Sequence, residues 1–124
     1  MDREIMTTTA ARTKQMGKLL DETLRLTREL KDAVERNDQV SMKLVLADRA
    51  EALERLQMAA QLVQELPDSV EDAAEQERIA ALLRGTGAQT DEERVIAERA
   101  LAHRRVYEQI LELDRRLHAS MRRG

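Results

Sequence analysis

The run MGKLLDETLRLTRELKDAV at residues 16–34 decides the fold prediction, because its apolar side chains return every three or four positions. This spacing places them on one face of an α-helix, whereas a strand would alternate at every second position. The stripe consists of Met16, Leu19, Leu20, Thr23, Leu26, Leu30, Ala33 and Val34. We therefore predict a long amphipathic helix over residues 9–36.

A second apolar stripe follows along the chain and is out of phase with the first. It consists of Leu46, Ala50, Leu53, Leu56, Ala60 and Val63. The change of phase coincides with Asn37-Asp38, where Asp38 suits the N-cap of a new helix. One continuous, kinked helix is the alternative. We favour a break, which gives a second helix over residues 39–66.

Local signals beyond the second stripe predict two more helices. Pro67 ends the second helix, because proline disfavours helical backbone in the residue before it. The segments SVED (69–72) and TDEE (90–93) each place an acid three residues after Ser or Thr, which is the capping-box pattern. These boxes predict a short helix over residues 69–84 and a long one over residues 91–122.

The composition fits a single domain built from long helices. The chain has 124 residues, of which 36% are charged and 1% aromatic, with four glycines and one proline. Few turns and an aliphatic core are typical of helices packed side by side. We predict an all-α, antiparallel three- to four-helix bundle over residues 1–124, with a flexible hinge at residues 85–90.

The sequence offers little for catalysis, metal binding or cofactor binding. It contains no cysteine, which excludes thiolate catalysis and cysteine-ligated metals. The two histidines, His103 and His118, lack the spacing of a metal-binding helix. The segment GTG (85–87) lacks the further glycine and the lysine of a phosphate loop. We predict that the protein is not an enzyme and holds no metal or cofactor.

The chain also lacks targeting and membrane-spanning patterns. No apolar run approaches the roughly 20 residues that cross a bilayer. The N-terminal residues show no signal-peptide pattern. We therefore predict a cytoplasmic protein without membrane insertion.

Three arginine pairs share one side of the last predicted helix, at residues 104–105, 115–116 and 122–123. A basic ridge of this kind can bind nucleic acid. Here Glu108 and Glu112 interleave with the arginines, which favours mutual ion pairs on a solvent face. We predict no nucleic-acid partner.

The last predicted helix carries its own apolar stripe, for which two interpretations stay open. In the first, the stripe packs in the core. In the second, the hinge lets the helix dock or swing away, which exposes a groove for an amphipathic helix of a partner. The candidate partner-binding residues are Ile96, His103, Val106, Ile110, Leu113 and Leu117.

Three runs in the first two predicted helices together resemble a known family. They are KLLDETL (18–24), LKDAVERND (30–38) and LVLADRAEAL (44–53). The third run contains a leucine, arginine and leucine at positions 44, 49 and 53. With the looser match of the C-terminal helix, the chain resembles the FliT/FlgN group of flagellar export chaperones.

The resemblance implies a small cytosolic helical chaperone that binds and shields an aggregation-prone helical segment of a flagellar or secreted structural protein. The implied clients are flagellar axial proteins such as the filament cap or the hook–filament junction proteins. The resemblance also implies that the last helix can fold over the binding surface and compete with the client. The alternative function is a self-associating coiled-coil scaffold or adaptor, for example a homodimer, with no client.

Overall fold

The computed structural model describes residues 1–123, and within them the chain forms four α-helices. These are α1 (Arg3–Glu35), α2 (Gln39–Gln64), α3 (Ala73–Leu83) and α4 (Asp91–Arg123), with a short 3-10 turn at Pro67–Ser69. The described residues contain no strand. The prediction of an all-α bundle with two long N-terminal helices, a short third helix and a long C-terminal helix is confirmed.

The break between α1 and α2 lies at Asn37, whose φ of 55° is in the left-handed region. Its backbone N–H donates to Val34 O at 3.1 Å, and that of Asp38 donates to Ala33 O at 2.9 Å. These two bonds form a Schellman motif, which ends a helix. Asp38 then starts α2, because its Oδ1 accepts from the backbone N–H of Ser41 at 3.1 Å. The predicted break and N-cap are both confirmed.

Replacing Asp38 with alanine should lower the thermal unfolding midpoint by about 2–6 °C, because an N-cap side chain would be lost. Calorimetry measures the change. Asp48→Ala is the matched control, since Asp48 is exposed in the interior of α2. Alanine has the higher helix propensity there, so the control should leave the midpoint unchanged or slightly raised. Equal losses in both variants would contradict the capping role.

The first helix begins at Arg3, six residues before the predicted residue 9. Asp2 is its N-cap, and its Oδ1 accepts from the backbone N–H of Glu4 at 3.3 Å. The early turns carry few large apolar residues, so the stripe that defines the helix further on is weak there. A short polar cap can still start the helix, since it satisfies an N–H that lacks a partner within the helix.

The capping box predicted at Ser69 does not form. The Ser69 hydroxyl instead donates to Leu66 O at 2.6 Å, within the 3-10 turn. The third helix begins at Ala73, and Asp72 in the N-cap position makes no capping hydrogen bond. Pro67 favours a tight turn directly after α2, and this turn uses the serine that would otherwise cap α3.

Helices α1 and α2 pack antiparallel. Near the start of α1, an Arg12 guanidinium nitrogen donates to Leu62 O at 2.9 Å. Towards the end of α1, Arg49 Nε donates to Thr27 Oγ1 at 2.9 Å. Residues near the start of α1 therefore lie beside residues near the end of α2, as expected for two helices joined by a short connection.

Helix α4 packs on another side of α1 and runs parallel to it. Arg3 forms an ion pair with Glu92 at 2.6 Å, where both helices begin. Further along, Arg99 donates to Thr13 Oγ1 at 3.1 Å. The parallel direction follows from α3, because the short helix and its connections return the chain to the end of the bundle where α1 starts.

The short helix α3 packs over α1, between the end of α2 and the start of α4. Its Ile79 is fully buried in a cluster with Ile5 of α1 and Val63 of α2. Its Leu82 is buried with Met6 of α1 and Ile96 of α4. Helix α3 thus occupies the fourth position of a helical bundle, but it has 11 residues where α1 has 33.

The chain reverses at Gly85, directly after α3. Gly85 has a φ of 91°, and its N–H donates to Leu82 O at 2.9 Å. The N–H of Thr86 donates to Ala81 O at 2.9 Å, which completes a second Schellman motif. Residues 85–90 thus begin with an ordered reversal, while the flexibility of this segment stays a prediction.

The capping box predicted at Thr90 forms at the start of α4. The backbone N–H of Glu93 donates to Thr90 Oγ1 at 3.1 Å, and Glu93 Oε1 accepts from the backbone N–H of Gln89 at 3.0 Å. The other carboxylate oxygen forms an ion pair with Arg78 of α3 at 2.6 Å. Glu93 is 2% exposed, so a buried carboxylate joins the cap of α4 to α3.

Four buried threonines line α1 where its neighbours pack. Each hydroxyl donates to the backbone carbonyl oxygen four residues earlier. They are Thr9, Thr13, Thr23 and Thr27, all between 0% and 1% exposed. Because the hydroxyls are satisfied within α1 itself, these short side chains can be buried at little polar cost.

Candidate functional site

An apolar groove lies between α2 and α4, beyond the point where α3 ends. Its proximal half, next to Leu83, encloses about 570 Å3. The floor belongs to α1, one wall to α2 and the other to α4. The apolar residues of this half are Met16, Leu20, Leu53, Leu56, Ala60, Leu83, Ala100 and Tyr107.

The distal half of the groove encloses about 790 Å3. Leu30 of α1 contributes to its floor and Leu46 of α2 to one wall. The apolar residues from α4 are Leu111, Leu117 and Met121. The two halves are adjacent hollows without a shared lining residue, and they follow one another along the bundle from the end of α3 towards the opposite end, in line with α3.

Arg49 joins the two walls at the distal half. Its Nε donates to Thr27 Oγ1 of α1, and a terminal nitrogen lies 2.7 Å from both carboxylate oxygens of Asp114 in α4. The Arg49 side chain is only 14% exposed. Arg49 is the arginine of the family-like pattern, and here it holds all three long helices together.

His103 marks a close approach of α1 and α4. A Cβ placed on Gly17 would lie 2.8 Å from His103 Nε2, so glycine leaves the space that the imidazole ring fills. The Nε2 atom is buried and has no hydrogen-bond partner among the described residues. The ring is a packing group in this arrangement, and it also lines the proximal half of the groove.

The surroundings of His103 favour its neutral form. Burial lowers the pKa of His103, and the nearby Arg99 guanidinium lowers this pKa further. The Asp21 carboxylate partly offsets both effects. A neutral ring suits the apolar groove, since a buried charge without a partner would be costly.

The structure places most of the predicted partner-binding stripe of α4 against α1. Ile96, Ile110 and Leu117 are between 1% and 5% exposed. Val106 and Leu113 are half-buried and pack against the cluster around Leu20 and Leu24. A partner would reach these residues only after displacing α4, and their role in partner binding stays a prediction.

The groove-facing residues of α4 form a second stripe, adjacent to the predicted one. Only His103 and Leu117 of the six candidates also line the groove. The second stripe contains Ala100, Tyr107, Leu111, His118 and Met121, at intervals of three, four and seven. The helical spacing of these residues is visible in the sequence, but Arg104 and Arg115 lie on the same side of α4 and make this stripe less apolar than the core stripe.

Helix α4 forms one wall of the groove and does not fill it. The competition of the last helix with a client stays a prediction, since in this arrangement the core stripe of α4 covers α1 while its adjacent stripe lines the groove. Ion pairs and hydrogen bonds tie α4 to α1 and α2, namely those from Arg3 to Glu92, Arg99 to Thr13 and Arg49 to Asp114.

The arginine pairs of α4 make mainly local contacts. Arg115 and Arg116 both form ion pairs with Glu112, and Arg104 donates to Arg84 O at 3.2 Å. The side chain of Arg123 lies outside the described residues. The expected ion pairs along a solvent face are thus observed at residues 112–116.

Residues 1–123 bring together no group of three or more His, Asp or Glu side chains that would hold a metal ion. None of the helices in this range combines the length and the apolarity that a bilayer crossing requires.

Comparisons with protein-family models, curated proteins and solved structures find no match. The resemblance to flagellar export chaperones therefore stays a prediction. The groove itself is the feature from which a function can be argued.

Proposed function

We propose that the protein binds an amphipathic α-helix of a partner protein in the groove between α2 and α4. The observation that carries this proposal is the short fourth helix. Helix α3 has 11 residues where α1 has 33, so it fills about one third of the fourth position of the bundle, and the groove is the vacant remainder. A helix from a partner would pack there as a fourth helix packs in a complete bundle.

The dimensions of the groove suit a helix of about 20 residues. The α4 wall extends from Ala100 to Met121, which corresponds to about 30 Å at 1.5 Å per residue. Five large apolar side chains of the walls are partly exposed, each between 37% and 51%: Leu46, Leu53, Tyr107, Leu111 and Met121. Covering each of them contributes about 1 kcal/mol before the entropy of association is subtracted.

The full proposal is a cytosolic export chaperone whose client is an aggregation-prone helical segment of a flagellar or secreted structural protein. The resemblance of residues 16–66 supports this finer statement. An exposed apolar stripe is an aggregation hazard for the client until it is buried, and the groove buries a stripe of that kind. Sequestration would therefore require no catalysis and no cofactor.

Changing Leu53 to glutamate should reduce client capture at least about tenfold, because a charge would be placed in the apolar α2 wall. The measurement is affinity capture from a lysate of flagellated bacteria, with flagellar axial proteins quantified by mass spectrometry. The wild-type chain should enrich one of these proteins, and the Leu53→Glu variant should not.

Val95→Glu is the matched control for this experiment. Val95 is in α4 and 51% exposed, but it does not line the groove. Both variants should retain their helical circular dichroism and cooperative melting. Equal capture by Leu53→Glu and the wild type would contradict binding in the groove. Failure of the wild type to enrich any axial protein would contradict the flagellar form of the proposal.

Self-association is the second candidate function, and a separate surface favours it. Four apolar residues on the side of α2 opposite the groove are between 45% and 72% exposed: Val40, Leu44, Met58 and Leu62. Helical periodicity places them on one face, which would pair with another helix in a coiled coil. Light scattering distinguishes the two functions, because a dimer dissociated by Leu44→Glu but not by Leu53→Glu would indicate a scaffold.

A further inference from the structure

We infer that the groove selects a helix with acidic side chains along the edge that faces α4. This inference rests on the proposed function and specifies the chemistry of the partner. It follows from a difference in charge between the two walls of the groove.

The α2 wall presents no net charge to the groove. Its lining residues are Leu46, Leu53, Leu56, Gln57 and Ala60, together with Arg49. Arg49 is neutralised by Asp114, whose two carboxylate oxygens both accept from it. Asp114 is the one carboxylate among the groove-lining residues, so the groove lining offers no free acid to a partner.

The α4 wall presents positive charge. Arg104 lines the proximal half and is exposed. Its guanidinium donates to the Arg84 carbonyl oxygen, and no carboxylate of the described residues lies within 4 Å of it. Arg115 lines the distal half and shares the single carboxylate of Glu112 with Arg116. Glu112, Arg115 and Arg116 together therefore carry a net charge of +1.

The two arginines of α4 that line the groove are on the same edge of this helix. Arg104 and Arg115 are eleven residues apart, which is close to three turns of an α-helix. A partner helix in the groove would run alongside this edge, so acids spaced by about three turns would reach both guanidinium groups. The whole chain carries a formal charge of −3, so attraction of an acidic helix has to arise locally.

The expected preference is moderate because these ion pairs would be partly exposed. Two such pairs should favour an acidic helix over a basic one by about fivefold to twentyfold at low salt. Screening should reduce the preference at high salt, whereas the apolar contribution should persist.

The test uses two labelled synthetic peptides with the same apolar stripe, long enough to span the groove. One carries glutamates along one edge of the stripe, and the other carries lysines at the same positions. Fluorescence anisotropy with the full chain gives the two affinities at low and at high salt. The acidic peptide should bind more tightly, with the difference shrinking as salt is added.

A pair of adjacent charge reversals provides the matched comparison. Arg104→Glu should abolish or invert the preference for the acidic peptide. Arg105→Glu changes the net charge equally, but Arg105 lies on another surface of α4 and does not line the groove. This variant should keep the preference.

Each outcome of the experiment separates the two proposals. Equal binding of both peptides to the wild type, or equal effects of the two reversals, would overturn the acidic preference and leave groove binding intact. If neither peptide binds while the protein is folded, groove binding is overturned and the charge preference with it. A dimer that Leu53→Glu dissociates would identify a second copy as the occupant and would also overturn the inference.

Discussion

Replacing Gly85 with alanine is expected to lower the free energy of unfolding by about 2–4 kcal/mol. Two effects contribute to this loss. Gly85 has a φ of 91°, a backbone conformation that L-residues with a Cβ rarely adopt. In addition, the new Cβ would lie 2.5 Å from Leu101 Cδ2, well inside the van der Waals distance. Gly85 is therefore required both by the chain reversal after α3 and by the packing of that reversal on α4.

Urea denaturation of Gly85→Ala measures the loss, and a Leu101→Ala background separates its two causes. In that background the overlap with the leucine is removed, so the substitution should cost mainly the backbone contribution of about 1–2 kcal/mol, with a 3.3 Å approach of the new Cβ to Ala97 O remaining. Leu101 is 36% exposed, so its own truncation should be tolerated. An unchanged unfolding midpoint in the single variant would contradict the required reversal at this position.

Replacing Glu93 with alanine is expected to lower the free energy of unfolding by about 2–4 kcal/mol. The substitution removes the ion pair with Arg78 and the hydrogen bond that the carboxylate accepts from Gln89. Arg78 Nε is already buried without a hydrogen-bond partner among the described residues, so the loss of the carboxylate leaves its guanidinium poorly compensated. Partial exposure of Arg78, at 34% of the side chain, limits the cost by admitting water.

The neighbouring glutamate is a close control for this substitution. Glu92 pairs with Arg3 at the surface, where both side chains are more than half exposed, so Glu92→Ala should leave stability nearly unchanged. Glu93→Gln keeps an acceptor for Gln89 and should fall between the wild type and Glu93→Ala. Urea denaturation of the three variants tests this order, and a similar loss for Glu92→Ala and Glu93→Ala would refute it.

The helix boundaries that the sequence predicts correctly have strong local causes. At Asn37-Asp38 and at Thr90–Glu93, the residues that end or start a helix do so through hydrogen bonds to atoms a few positions away. Ser69 shows the limit of this reasoning. The Ser69 hydroxyl could either cap α3 or donate to Leu66 O, and the turn at Pro67 favours the bond to Leu66 O. The capping-box pattern alone therefore does not show that a neighbouring turn will use the same serine.

The groove depends on tertiary relationships that no local pattern contains. The stripe of α4 predicted as a partner surface, for example Ile110, is buried against α1, whereas Tyr107 one face away lines the groove. The rotation of α4 about its own axis determines which of its two stripes packs in the core. That rotation depends in turn on the position of α1. Of the buried threonines of α1, the predicted stripe includes Thr23 but misses Thr9, Thr13 and Thr27, since hydrophobicity alone does not show that a hydroxyl is satisfied by its own helix.

The parallel pairing of α1 and α4 has a consequence for the order in which the chain folds. Arg3 and Glu92 are 89 positions apart, whereas α1 and α2 are joined directly through the turn at Asn37. Closing the larger loop costs more chain entropy, and contacts of high sequence separation form late. We therefore expect the α1–α2 hairpin to form first and α4 to dock last. During synthesis on the ribosome, we expect the face of α1 that carries Leu20 and Leu24 to stay uncovered until α4 has emerged.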